Sequence, residues 1–116
     1  MEAIQAALVA DLHAIKTKPP LVLNLTNFVA MDFAANALLA IGASPIMALA
    51  EEEFPELIAL SNSIVINMGT LDRNFVSLAQ LAVKTANKLQ KPIAFDPVGT
   101  GASKFRTGFA QELTQS

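Results

Sequence analysis

Leu21-Val22-Leu23-Asn24-Leu25-Thr26-Asn27, then the stretch to Gly42, then Pro45-Ile46-Met47-Ala48-Leu49, is the part of the sequence that decides the fold. Leu21 to Leu25 is too short an apolar run for a helix and has the length of a buried strand. From Asn27 to Ile41 the period changes: Val29, Phe33, Ala34, Leu38 and Ile41 recur at helical spacing. Gly42 fits the left-handed position that closes a helix. Pro45 to Leu49 then reads as a second strand. Strands that alternate with helices in this way argue for a parallel sheet.

The same alternation continues on both sides. Upstream, Ile4, Ala7, Leu8, Leu12 and Ile15 predict a helix over Glu2 to Ile15, and Lys18-Pro19-Pro20 ends it, since proline disfavours helix in the residue before it. Downstream, Glu51 to Ala59 predicts a short helix whose acids suit the positive end of the helix dipole. Ser63 to Met68 is a third strand. Asp72 is the expected N-cap of a helix running to Leu89. Pro92 to Phe95 is a fourth strand, Asp96 to Ser103 a loop, and Thr107 the start of a last helix that the chain end cuts short. This order predicts one domain over residues 1–116: a three-layer αβα fold on a mostly parallel sheet. The strands read as wholly apolar, as a sheet covered on both faces requires.

Hydrophobic residues make up 53% of the 116 residues and charged residues 16%. Mean hydropathy is +0.45. Disorder is excluded by that composition. So little polar cover predicts apolar surface buried between subunits, or an exposed flank. The net charge is −2 and no basic patch is present, which argues against nucleic acid as a partner. No cysteine is available for a disulfide, a thiolate metal site or a nucleophile. No apolar run reaches membrane-spanning length, and Met1 to Lys18 lacks the pattern of a secretory signal. A cytoplasmic location is the default expectation.

In an open parallel sheet, ligands collect beyond the carboxyl ends of the strands. The loops leaving those ends carry Thr26-Asn27, Met47 to Glu51, Asn67 to Thr70, and Asp96 to Gly101. Asp96 is the foremost candidate: a carboxylate there could hold Mg²⁺ directly or through water, or could simply cap its loop. Gly99 and Gly101 could let backbone N–H groups approach a phosphate, or form only a turn. Asn27 could be a helix N-cap or a ligand contact. Met47 could fill the core or lay its thioether on an aromatic ring. Gly69 and Thr70 could offer free N–H groups or form a plain turn. Lys104 and Arg106 could neutralise a phosphate or belong to a solvated tail. Glu51, Glu52 and Glu53 read as a solvated helix start, and His13 as a surface or packing histidine. No Walker phosphate loop is present.

The segments Pro20–Asn27, Ala35–Met47, Val65–Leu71 and Asp96–Ala102, followed by Phe105-Arg106-Thr107, resemble the N-terminal part of the hydroxyethylthiazole kinases in order and spacing. Those kinases belong to the ribokinase-like superfamily. The resemblance implies a ribokinase-like α/β domain of which 1–116 is the N-terminal portion. It also implies Mg²⁺-dependent transfer of the γ-phosphoryl group of ATP to the hydroxyl of 4-methyl-5-(2-hydroxyethyl)thiazole, in thiamine biosynthesis or salvage. By that resemblance Asn27 and Met47 contact the thiazole, Gly69 and Thr70 lie near its pocket, and Asp96 helps hold Mg²⁺. A homotrimer with the pocket between subunits is implied as well. The family's second half supplies an Arg-Gly-Asn nucleotide segment, further acidic metal contacts and a glycine-rich anion hole ending in a catalytic cysteine. None of these occurs in the 116 residues. The expectation is therefore no catalytic residue in this chain and a catalytically incomplete piece, with a non-catalytic thiazole-binding or oligomer-forming module as the alternative.

Overall fold

The computed structural model describes residues 1–116 and has the alternation of helix and strand that the sequence predicts. Helix α1 spans Glu2–Thr17, strand β1 Leu21–Leu25, α2 Phe28–Ile41 and β2 Ser44–Met47. A 3₁₀ turn at Glu51–Glu53 leads into α3, Phe54–Leu60. Then follow β3 at Ser63–Asn67, α4 at Arg73–Lys88, β4 at Ile93–Asp96 and α5 at Lys104–Thr114. Local chemistry sets the boundaries. Asn27, Asp72 and Ser103 each turn a side-chain oxygen onto the free N–H groups of the helix that follows. Gly42 closes α2 with φ +98°, where a side chain would be strained.

All strand pairs are parallel, in the spatial order β2-β1-β3-β4. The chain steps from β1 outward to β2, then returns past β1 to β3. The connections from β1 and β3 therefore leave in opposite directions, and a crevice opens between their carboxyl ends. This is the switch point at which open α/β sheets hold ligands.

Alternate residues of the central strands build the core. Leu23 and Leu25 from β1 and Ile64 and Ile66 from β3 are fully buried against Phe54, Ile58, Ala79, Ala82 and Phe109. Each such aliphatic side chain contributes about 1.5–3 kcal/mol on leaving water. This core lies between the sheet and the layer of α3, α4 and α5. No residue of α1 or α2 belongs to it. Those two helices pack on each other, and α2 packs on β2.

Several boundaries and faces differ from the sequence reading. Helix α1 runs on to Thr17, where the threonine hydroxyl bonds back to the His13 carbonyl. Neither α1 nor α2 buries any residue fully. Their apolar stripes, including Leu8, Leu12 and Phe33, stay exposed. Strand β2 begins at Ser44 and stops at Met47, because only Ser44–Met47 align with β1. Asp96 is the last residue of β4 rather than the first of the loop, through its pairing with Asn67. Helix α5 starts at Lys104, ahead of Thr107, because Ser103 provides the cap. The sheet is not covered on both faces along its whole width: β4 alternates half-buried and exposed residues, with Ala94 open. Asn24, inside β1 and 1% exposed, faces away from the core with its amide donated to the Val22 carbonyl at 2.9 Å.

Candidate functional site

The crevice at the switch point is a cleft of about 390 Å³. Thr26, Asn27 and Val29 form its β1–α2 wall. Thr70 and Phe75 face them from the β3–α4 side, and Leu49 contributes from beyond β2. Mostly apolar walls with a few polar groups are the usual make-up of a small-molecule site.

Asn27 holds this cleft in shape. Its Oδ1 accepts the Val29 and Ala30 N–H groups at 3.0 and 3.1 Å, so the helix-capping role is real. Its Nδ2 donates to Asn67 Oδ1 at 3.1 Å. That same oxygen also accepts the Gly69 N–H at 2.9 Å. Asn67 Nδ2 then donates to Asp96 Oδ2 at 2.9 Å. A continuous line of side chains thus runs across the carboxyl ends of β1, β3 and β4. Gly69 makes the line possible: a Cβ there would sit 2.7 Å from Asn27 Nδ2 and 3.0 Å from Asn67 Oδ1.

At the far end of the line, Asp96 is solvent-exposed. Oδ2 is engaged by Asn67, while Oδ1 accepts no hydrogen bond from the protein. No three carboxylates or histidines are arranged so that together they could hold a metal ion. Glu51, Glu52 and Glu53 are exposed in their 3₁₀ turn, and His13 lies on the exposed face of α1. A divalent ion at Asp96 would thus have one protein carboxylate, with the other ligands supplied by water or phosphate oxygens. That is a set magnesium accepts at phosphate sites.

The loop after β4 is tightly folded. Gly99 and Gly101 take φ +76° and +93°. The Gly101 N–H is donated to the Thr107 hydroxyl at 2.9 Å, and those of Thr100 and Ala102 go to the Pro97 and Gly99 carbonyls. Arg106 is not part of a solvated tail. Its guanidinium donates to the carbonyls of Met68, Val98 and Gly69 at 2.9, 2.9 and 2.8 Å, and so ties the loop after β3 to the loop after β4.

The structure brings Asn27, Gly69, Thr70 and Asp96 to one edge of the sheet. Met47 is half-buried on the outer strand and is not part of the cleft wall. Lys104 is exposed at the start of α5. Sequence reasoning gave no role to Asn67, the residue that joins Asn27 to Asp96. The available signal was a polar residue ending an otherwise apolar strand, one position beyond the buried Ile66. Arg106 was noticed for its charge, but its three backbone acceptors are set by two distant loops and leave no trace in local pattern.

Residues 12–116 match the model of the hydroxyethylthiazole kinase family. A hydroxyethylthiazole kinase of Pyrococcus abyssi is 52% identical over 106 residues, which is 91% of this chain and 40% of the relative. One from Brachyspira hyodysenteriae is 43% identical over 116 residues, all of this chain and 44% of the relative. The solved structure of the hydroxyethylthiazole kinase protein from Pyrococcus horikoshii superposes with a TM-score of 0.88 at 52% identity. That match covers 90% of this chain and 41% of the solved one. The chain therefore spans about 40% of the length of the curated relatives it matches.

Proposed function

Since the chain belongs to the hydroxyethylthiazole kinase family, we propose that it forms the alcohol-binding side of a kinase that phosphorylates 4-methyl-5-(2-hydroxyethyl)thiazole with ATP. The observation that carries this reading is the line Asn27–Asn67–Asp96, which places an apolar cleft at one end and an exposed carboxylate at the other. A kinase needs both within one site: a slot for the acceptor alcohol and an anchor for the cation that accompanies ATP.

In this proposal the thiazole ring lies against the apolar wall, with Asn27 and Thr70 directed at its polar atoms and Gly69 allowing close approach. Asn27 can act there only as a donor, because its oxygen is committed to the start of α2. Asp96 holds Mg²⁺ next to the phosphates; the ion supplies charge neutralisation on the transferring group. Gly99 and Gly101 shape the loop beside Asp96 but do not cradle phosphate as expected: the Gly101 N–H is committed to Thr107, and a Cβ at Gly99 would meet Arg106 at 3.0 Å. Met47 reaches thiazole only if the ring extends past the cleft wall toward β2. A homotrimer accounts for the exposed apolar stripes of α1 and α2, and a cytoplasmic location goes with the family reading.

These 116 residues carry no cysteine and none of the nucleotide segment, further acidic metal contacts or glycine-rich anion hole that the resemblance assigns to the family's second half. Binding and transfer therefore separate. The chain is expected to bind hydroxyethylthiazole with a Kd on the order of millimolar, as befits a small ligand in a partly open cleft, and to release no ADP from ATP in its presence. Calorimetry and a coupled ADP assay check the two parts. Thiazole-dependent ADP release would place the chemistry among the residues present and refute the separation.

A further inference from the structure

The Asn67 side chain joins Asn27 to Asp96, one at each end of the site, and its oxygen and nitrogen face opposite ways. Oδ1 accepts two N–H groups, from Asn27 and Gly69. Nδ2 donates to a single oxygen of Asp96. The amide cannot be flipped without setting donor against donor and acceptor against acceptor, so its orientation is fixed by its partners. Asn27 inherits that constraint. With Oδ1 capping α2 and one Nδ2 hydrogen on Asn67, it has one N–H left for the cleft. On the other side, Asp96 is left with Oδ1 as its free oxygen. Strand register produces the arrangement: Asn67 and Asp96 are direct partners at the carboxyl ends of β3 and β4.

We propose that Asn67 is a positioning residue that sets both ends of the site at once. It makes Asn27 present a donor to the bound alcohol substrate, and it makes Asp96 present one oxygen to a divalent cation. The proposal rests on the functional reading above. It adds that the cleft selects ligands bearing a hydrogen-bond acceptor beside Asn27, such as a ring nitrogen or hydroxyl oxygen.

Two substitutions separate this role from simple support of the fold. Asn67→Asp keeps an oxygen for Asn27 and Gly69 but replaces the donor to Asp96 with a second carboxylate. Asn67→Leu removes both functions at similar volume. The ¹⁵N-labelled chain is titrated with hydroxyethylthiazole, read at the Asn27 side-chain amide and the Thr70 backbone amide. A second titration uses Mn²⁺ alone, read by paramagnetic broadening at Val98 and Gly99. In Asn67→Asp the thiazole midpoint stays within about twofold of wild type and Mn²⁺ binds more tightly. In Asn67→Leu both midpoints rise, each by about tenfold, the scale of one lost hydrogen bond. A purely structural asparagine would shift both variants in the same direction on both probes, and that result overturns the proposal. If Asn67→Leu does not fold, the opposite responses of Asn67→Asp to the two probes decide alone. A wild-type chain that responds to neither probe refutes the functional reading and this inference with it, whereas a responsive wild type with variants whose midpoints match it refutes only the role of Asn67.

Discussion

Replacing Arg106 with methionine removes a charged fork while keeping most of the aliphatic stem. Three backbone carbonyls then lose their donor: Met68, Gly69 and Val98. A hydrogen bond to a charged group is worth about 1.5–3 kcal/mol net, and an abandoned buried acceptor costs about 1–3 kcal/mol. These do not add in full. Val98 is 39% exposed, so water can replace the donor at that carbonyl at little cost. Met68, by contrast, is fully buried. Counting Met68 and Gly69 as the expensive losses gives a destabilisation of about 2–4 kcal/mol. With a urea m-value of about 1–2 kcal/mol/M for a domain of this size, the unfolding midpoint should fall by roughly 1–4 M. Arg106→Lys should recover only part of this, because an ammonium cannot span acceptors on two loops as a planar fork does. Urea unfolding followed by circular dichroism measures both variants. A methionine variant whose midpoint stays within about 0.3 M of wild type, at unchanged slope, would falsify the clamp.

Gly42→Ala should cost about 1–2 kcal/mol, because the residue takes φ +98° and its new methyl would meet the Lys16 stem at 3.2 Å; thermal or urea unfolding reads it, and a neutral change would contradict the left-handed cap. Asn27→Ala removes the cap of α2 and the link to Asn67 together, for an expected loss of about 1–3 kcal/mol. A double-mutant cycle with Asn67→Ala should return a coupling of about 0.5–1.5 kcal/mol for the Asn27–Asn67 bond, and strictly additive losses would show that this bond contributes nothing. Light scattering on the purified chain should give a mass above that of the 12.3 kDa monomer, since Phe28, Phe33 and Leu39 are all exposed on α2; a monomer at all concentrations would remove the oligomer from the proposal.

Local chemistry made most of the fold legible. Strand and helix differ in period, and the helix starts at Asp72 and the end at Gly42 are signalled by single residues whose chemistry acts within four positions. The faces were less legible. Spacing alone does not separate α4, which buries Phe75, Leu78, Ala79 and Ala82, from α1, which buries nothing, but α4 gathers its apolar residues on one face far more sharply than α1 does. The β4 edge misled for a related reason: Ile93-Ala94-Phe95 reads as a strand buried on both sides, yet only Ile93 and Phe95 meet the core.

The site divides along the same line. Asn27, Gly69 and Asp96 each stand where an apolar run stops, a mark visible in one dimension. Asn67 stands at such a place too, but its importance comes from its neighbours, 40 residues upstream and 29 downstream. Parallel strands force that kind of distance, because each pairing is separated by a crossover helix. A residue whose role is to join loops from different strands has no periodic or capping signature of its own. Its partners emerge only once the register Asn67 to Asp96 is known. Arg106 behaves alike, binding carbonyls 37 and 38 residues away. In this fold the groups facing the ligand cleft are announced by local sequence, whereas the groups holding them in place are announced only by topology.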